Sequence, residues 1–276
     1  MAQRLTSFLI LLTFVLQAPH SFAKQPVNIA IVIDDIGNSA HDLLALSLPP
    51  AITLSILPYT PHAKKIARLA IAQERELLLH VPMQAKQHND KLGQGALMLD
   101  MQERAFKAQL RKALDYLPDV TGINNHMGST LTEHVKQMQW TMDVLNKQGV
   151  YFLDSRTTAN TIAESTARIS GTPALRRHVF LDNIKTDVAM EKQFSQAVTL
   201  GQQGNAVVII AHPYPETIRF LSNKFKQKNK QIQLVSLQTL LPERDRLAMA
   251  KKRNEFRQAN NVVINDADHP KDKQLQ

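Results

Sequence analysis

A chain of 276 residues with no cysteine, 5% aromatic residues and a formal charge of +9 excludes several classes of protein before any motif is read. Without cysteine there is neither a disulfide framework nor a thiolate metal site, so the fold rests on a hydrophobic core and any metal on His, Asp or Glu. The basic residues are spread along the sequence and aromatic platforms are few, which argues against a nucleic-acid partner.

Arg4, an apolar segment from Phe8 to Leu16 and the small residues of Ser21-Phe22-Ala23 read as a cleaved signal peptide over residues 1–23. The segment falls short of the about 20 apolar residues that span a bilayer. An uncleaved anchor is the competing reading. The expectation is a periplasmic or secreted chain with no stable membrane insertion after cleavage. Residues 24–243 have the length of one large α/β domain, and 244–276 form a charged extension whose end, from Asn260, reads as a mobile tail.

From Val27 onward, short apolar runs alternate with amphipathic stretches, the pattern of a parallel α/β sheet. Strands are predicted near 27–34, 51–57, 76–81, 120–125, 150–154, 177–182, 206–212 and 231–235. Between them, Phe106, Leu110, Ala113, Leu114 and Leu117 recur at helical spacing, as do Leu131, Val135, Met138, Met142 and Leu145, each set a core-facing stripe. Lys224 to Lys230 reads as the solvated end of a helix. Seven or eight strand–helix units point to a barrel rather than an open doubly wound sheet, and no Gly-rich phosphate loop follows the first strand.

The run Asn28 to Ile33 ends in Asp34-Asp35. An all-apolar run is a strand buried on both faces, and its C-terminal end is where α/β folds keep their chemistry. Neighbouring residues of a regular strand point to opposite sides, so both carboxylates share a cavity only if the chain bends, a task Ile36-Gly37 suits. One Asp then binds a cation and the other acts as a base toward water. In the competing reading the pair forms a turn and caps the next helix, for which Asn38-Ser39 are adequate alone.

Other strand ends repeat the pattern. Leu77-Leu78-Leu79-His80 closes the third, Gly122-Ile123-Asn124-Asn125-His126 the fourth, Tyr151-Phe152-Leu153-Asp154 the fifth, and Val207 to Ala211 the seventh, before His212. A lone His after an apolar run is usually a hydrogen-bonded core residue, but three His and three Asp at one end of one barrel are hard to explain that way. His41, His62, His88, His134, His178 and His269 fall in helical or loop patterns and read as surface residues. Asn124 and Asn125 either satisfy backbone groups in a turn or donate to a polar substrate. Arg156 either pairs with Asp154 or meets the substrate.

The series IVIDDIG, LLLHVPM, GINNHMGS, YFLDS and AHPYP, five motifs in order over about residues 27–242, resembles the divergent polysaccharide deacetylase family of bacterial envelope proteins. The resemblance implies a distorted (β/α) barrel of seven or eight parallel strands, a divalent metal, usually zinc, near the strand C-termini, and hydrolysis of N-acetyl or other acyl groups on an envelope polysaccharide or glycan. It implies Asp34 as base, Asp35 as metal ligand and His212 as general acid. Standard relatives take two His ligands from one H-x-x-x-H turn; here the residue four after His80 is Gln84. His126, where those relatives carry an Arg-x-Pro-Tyr motif, is then the replacement ligand beside His80. Asp154 is expected to orient a catalytic partner, Asn125 or Ser129 to stabilise the oxyanion, and Asn124 and Arg156 to contact substrate. A barrel that binds a glycan or protein partner without turnover is the rival class, with a phosphodiesterase behind it.

Overall fold

The computed structural model describes residues 26–204, 206–227 and 231–267, the last eight as backbone only. The segment read as a leader and the final nine residues lie outside this range, as does the end of the lysine-rich stretch. Among the described residues nine strands form one parallel sheet: β1 (Val27–Ile36), β2 (Thr53–Ile56), β3 (Leu77–Met83), β4 (Gly122–Met127), β5 (Tyr151–Asp154), β6 (Ala174–Arg176), β7 (Val179–Phe180), β8 (Val207–Ala211) and β9 (Ile232–Leu234). Their order is β6-β5-β4-β3-β2-β1-β8-β7, with β9 paired to the start of β1. Only Arg177 and His178 separate β6 from β7, so one extended stretch pairs first with β5 and then with β8, bringing the two edges of the curled sheet together. This is the expected distorted barrel.

All eight predicted strands are present; β3, β5 and β8 are buried on both faces, as is β1 from Ile29 to Ile33, while β9 alternates with Gln233 exposed. The strand missed is β6, three half-exposed or exposed residues with no apolar signature. His178 is no surface residue: its Nδ1 accepts the Val208 N–H at 3.1 Å while its own N–H donates to the Val208 carbonyl at 2.9 Å, knitting the seam.

Helices α1 (Ala63–Ala72), α2 (Glu103–Tyr116), α3 (Val135–Gln148), α4 (Ala163–Ile169), α5 (Asp187–Gln202) and α6 (Pro215–Lys224) cover the outside. The α2 stripe is buried as read, and so are Met138, Met142 and Leu145 of α3. Leu131 instead sits in a short 3-10 turn, and Val135, the first residue of α3, is 67% exposed, since the stripe turns inward only one turn later. A last helix, α7 (Glu243–Ala267), begins where the charged extension was expected. Met249 is buried against the barrel floor, and Arg253 and Arg257 donate to the carbonyls of Gly149 and Pro118. Among the described residues no helix is long and apolar enough to cross a membrane.

Strand alternation sorts the side chains. Ile29, Ile31 and Ile33 pack toward the helices with Leu79, Ile123, Phe152 and Ile209. Ala30, Val32, Leu78, Tyr151, Leu153, Val208 and Ile210 fill the barrel interior. That interior is tight at Gly122, where an added Cβ would stand 2.6 Å from the Tyr151 ring and 2.8 Å from Leu78. Gly122→Ala should therefore overpack the barrel and cost about 1–3 kcal/mol, read from a lowered denaturant midpoint with an unchanged slope.

Candidate active site

Carried one step further, the inward series ends in polar residues at the C-terminal rim. Ala30 and Val32 lead to Asp34, Leu78 to His80, Gly122 to Asn124 and His126, Leu153 to Ser155, and Val208 and Ile210 to His212. A parallel sheet puts all these ends on one side, so residues far apart in sequence converge there.

Asp35 joins them by breaking the alternation. Its φ of 59° is left-handed, and the register between β1 and β2 shifts between Ile33 and Ile36. The bend expected at Ile36-Gly37 thus lies one residue earlier, in a bulge that turns Asp35 onto the face Asp34 already occupies. Gly37 serves the following turn, where an added Cβ would meet the Thr60 hydroxyl. The capping alternative falls away, because Ser39 caps the next helical segment in a box with Asp42.

Oδ1 of Asp35 lies 2.8 Å from Nδ1 of His126 and 3.1 Å from Nε2 of His80. One ligating atom from each of the three residues falls within 4.8 Å of the others. Despite these distances neither imidazole meets Oδ1 in hydrogen-bond geometry, and this buried oxygen is left without a bonded partner. Three electron-pair donors aimed at a shared point around an orphaned carboxylate oxygen fit a divalent cation, and two imidazoles with one carboxylate are a donor set of catalytic metal sites. Burial works to raise the Asp35 pKa, but His126 and His80 outweigh it and hold it well below the carboxylate range. Burial opposes the charge on His80 as well, yet Asp34 and Asp35 push its pKa up to about 9. The carboxylates, in short, are arranged to hold positive charge.

Asp34 stands behind this group, 3% exposed, with Oδ2 3.8 Å from Nε2 of His80. Burial keeps its pKa above the ordinary value despite His80 and His212 nearby. Across the site, Nε2 of His212 is 3.8 Å from Oδ2 of Asp35. Its Nδ1 lies 3.0 Å from Oδ1 of Asp182, while Oδ2 of Asp182 accepts the His212 N–H at 2.7 Å and the Thr217 hydroxyl at 2.8 Å. Burial would lower the His212 pKa, but the Asp182 contact prevails and raises it. Phe180 and Tyr214 flank the ring at centroid distances of 5.1 and 5.5 Å.

Asp182 is a site residue that the sequence reading passed over. Val179-Phe180-Leu181-Asp182 carries the same apolar-run-then-Asp signal as Tyr151 to Asp154, and it lies beside β8, next to His212. Asp154, expected to orient a partner, points the other way. It is an outward position of β5, where Oδ1 accepts the Arg156 N–H at 2.8 Å and Oδ2 the Thr161 hydroxyl at 2.9 Å, pinning the loop that follows. The inward neighbour, Ser155, takes its place in the barrel.

The expected substrate contacts are distributed differently as well. Asn124 has no exposed surface, and its amide is bonded on both ends to buried side chains. Asn125 faces outward: Nδ2 donates to the Met127 carbonyl at 2.7 Å and Oδ1 accepts the Ser155 N–H at 2.9 Å. Ser129 Oγ accepts the Lys86 N–H at 3.0 Å, a loop tie rather than a member of the cluster. Among the described residues Arg156 forms no ion pair with Asp154; its carbonyl accepts from Arg177 at 2.8 Å. Gln84, where standard relatives place a second ligand, accepts the Leu99 N–H through Oε1 at 2.8 Å. A cleft of about 430 Å³ opens from Asp35 and His126 between Asn38, Pro58 and Thr60 on one wall and Asp90 to Gln94 on the other.

Comparisons with known proteins place the chain in a family. Residues 31–241 match a family model described as divergent polysaccharide deacetylase. The uncharacterized protein YibQ of Escherichia coli (strain K12) is 36% identical over 217 residues, 78% of this chain and 68% of that one. An uncharacterized protein of Haemophilus influenzae is 32% identical over 232 residues, 84% of this chain and 82% of that one. A crystal structure of an uncharacterized protein from Agrobacterium tumefaciens C58 superposes with a TM-score of 0.74 at 19% identity, covering 79% of this chain and 90% of that one, a likeness of fold. Since the matched span runs from within β1 to the approach of α7 and takes in Asp34, Asp35, His80, His126, Asp182 and His212, the chain belongs to the divergent polysaccharide deacetylase family.

Proposed function

We propose that this protein is a metal-dependent hydrolase that removes N-acetyl, or other acyl, groups from a polysaccharide or glycan of the cell envelope. The observation that carries the reading is the pairing of a three-donor cluster, Asp35, His80 and His126, with a buried carboxylate on one side and an Asp-supported imidazole on the other. A cysteine-free Asp-His-His set suits zinc. When bound, such an ion supplies a Lewis acid that polarises the acyl carbonyl and makes water acidic near neutral pH.

The chain's own groups account for the proton transfers. Burial raises the pKa of Asp34, which makes its carboxylate a stronger base than an exposed one, and it takes the proton of the attacking water. Asp182 accepts from Nδ1–H of His212 and raises its pKa, which favours the imidazolium, and the Nε2 proton of that imidazolium passes to the amine nitrogen as the C–N bond breaks. Asp182 keeps the ring in this orientation through bonds to the side chain and backbone of the same residue. The cleft beside Asp35 gives the sugar ring a place to lie. Incubating the zinc-loaded protein with N-acetylated envelope glycan fragments and assaying free acetate tests the activity.

Export belongs to the same proposal. Cleavage after Ala23 would start the mature chain at Lys24 in the periplasm or medium. N-terminal sequencing of the protein from a periplasmic fraction should read Lys-Gln-Pro-Val; an intact Met1 terminus in the cytosol would refute export.

A further inference from the structure

Nε2 of His80 stands 3.8 Å from Oδ2 of Asp34, and a single side chain touches both residues. We propose that Asn124 is the positioning residue of this site, its one amide fixing both the orientation of the Asp34 carboxylate and the tautomer of His80. The catalytic half of this inference rests on the deacetylase reading; the metal-binding half does not.

The amide is fully buried and every direction around it is used. Nδ2 lies 2.9 and 3.0 Å from the two oxygens of Asp34 and 3.1 Å from the Ser155 hydroxyl. Oδ1 lies 2.5 Å from the Ser55 hydroxyl and 2.8 Å from Nδ1 of His80. An ionised carboxylate only accepts, so the NH₂ end of the amide must face Asp34. The carbonyl end then faces His80, and an acceptor there obliges Nδ1 to carry the ring proton. In the neutral ring, the form a metal requires, Nε2 then keeps its lone pair on the side of Asp35. A flipped amide would set oxygen against the Asp34 carboxylate and force the proton of His80 onto Nε2, between the ring and the metal position. Ser55 and Ser155 hold the amide in its plane but serve either orientation, since a hydroxyl both donates and accepts; the Asp34 carboxylate is what opposes the flip. β4 places the residue because Asn124 is an inward position directly across from His80 in the β3–β4 register.

The test uses the purified full chain and Asn124→Ala, Asn124→Asp and Ser155→Ala variants. Zinc dissociation constants come from competition with a chelating dye, alongside kcat and KM for acetate release. Loss of a partner behind a metal ligand typically costs about 10- to 100-fold in affinity or activity, so Asn124→Ala should weaken zinc by that factor and lower kcat with KM little changed, whereas Asn124→Asp, which still accepts from Nδ1 of His80 but no longer donates to Asp34, should keep zinc and lower kcat. Ser155→Ala should act in the direction of Asn124→Ala more mildly. In the zinc-loaded protein the Nδ1 proton of His80 should give a slowly exchanging NMR resonance that disappears in Asn124→Ala. A merely structural role would lower the melting temperature and leave the zinc constant and that resonance unmoved. A zinc constant and kcat within about twofold of the unsubstituted protein, in whichever variants fold, overturns the proposal. Weakened zinc in Asn124→Ala, with no acetate released by the unsubstituted protein, sinks the deacetylase reading and leaves the positioning role standing.

Discussion

Replacing His126 by alanine should strip the protein of its metal at limiting zinc while leaving the barrel folded. His126 sits at the end of β4 on the wall of the open cleft, its side chain 16% exposed, with Nδ1 turned to Asp35 and no part in the core, so its loss removes a donor and widens the cleft without opening an enclosed cavity. Two donors cannot hold the ion as three do, and the drop in affinity should exceed the about 10- to 100-fold that loss of an outer partner produces. The unsubstituted protein should carry about one zinc-like ion per chain by elemental analysis, as a single catalytic site requires. Asp35→Asn is the companion experiment. Asparagine tolerates the left-handed backbone that Asp35 adopts at φ 59°, so the bulge survives while the charge is lost. Full metal content in the folded His126→Ala protein would show that the ion sits elsewhere.

The positions of these donors were readable to different depths in the sequence, and strand alternation explains the difference. Apolar runs buried on both faces announce the strands, and polar residues at their ends announce the rim, which is enough to find Asp34, Asp35, His80, His126 and His212. Which rim residues face inward follows from counting by twos along each run, a step that separates Asn124 from Asn125 and Ser155 from Asp154. Asp35 defies that count, since its bulge appears only in the register shift with β2. Asp182 closes the strand predicted at 177–182 with the same signal as Asp154 and was legible on that count, though the sequence reading passed over it. What the sequence does not show is how His126 reaches His80: Pro82 and His126 are register partners, so β4 presents His126 beside the turn where Gln84 stands.

Asp34→Asn and His212→Ala should each abolish most turnover while sparing both metal and fold, and this separates an enzyme from a binding barrel. Neither residue belongs to the three-donor cluster, so zinc content should stay near one ion per chain. Asparagine at position 34 keeps an oxygen able to accept from Asn124, which preserves the packing while removing the base. General acid and base groups contribute about 10² to 10⁴ in rate, and kcat should fall within that range in each variant. Asp182→Asn should be milder, because it leaves His212 in place but loosens the contact that fixes the ring and raises its pKa. All three variants should still bind the glycan, since the cleft toward Asp90 and Gln94 is untouched. If the zinc-loaded, unsubstituted protein releases no acetate from any envelope glycan yet binds one tightly, the barrel is a recognition module. In that case Asp34 and His212 would shape its pocket rather than move protons.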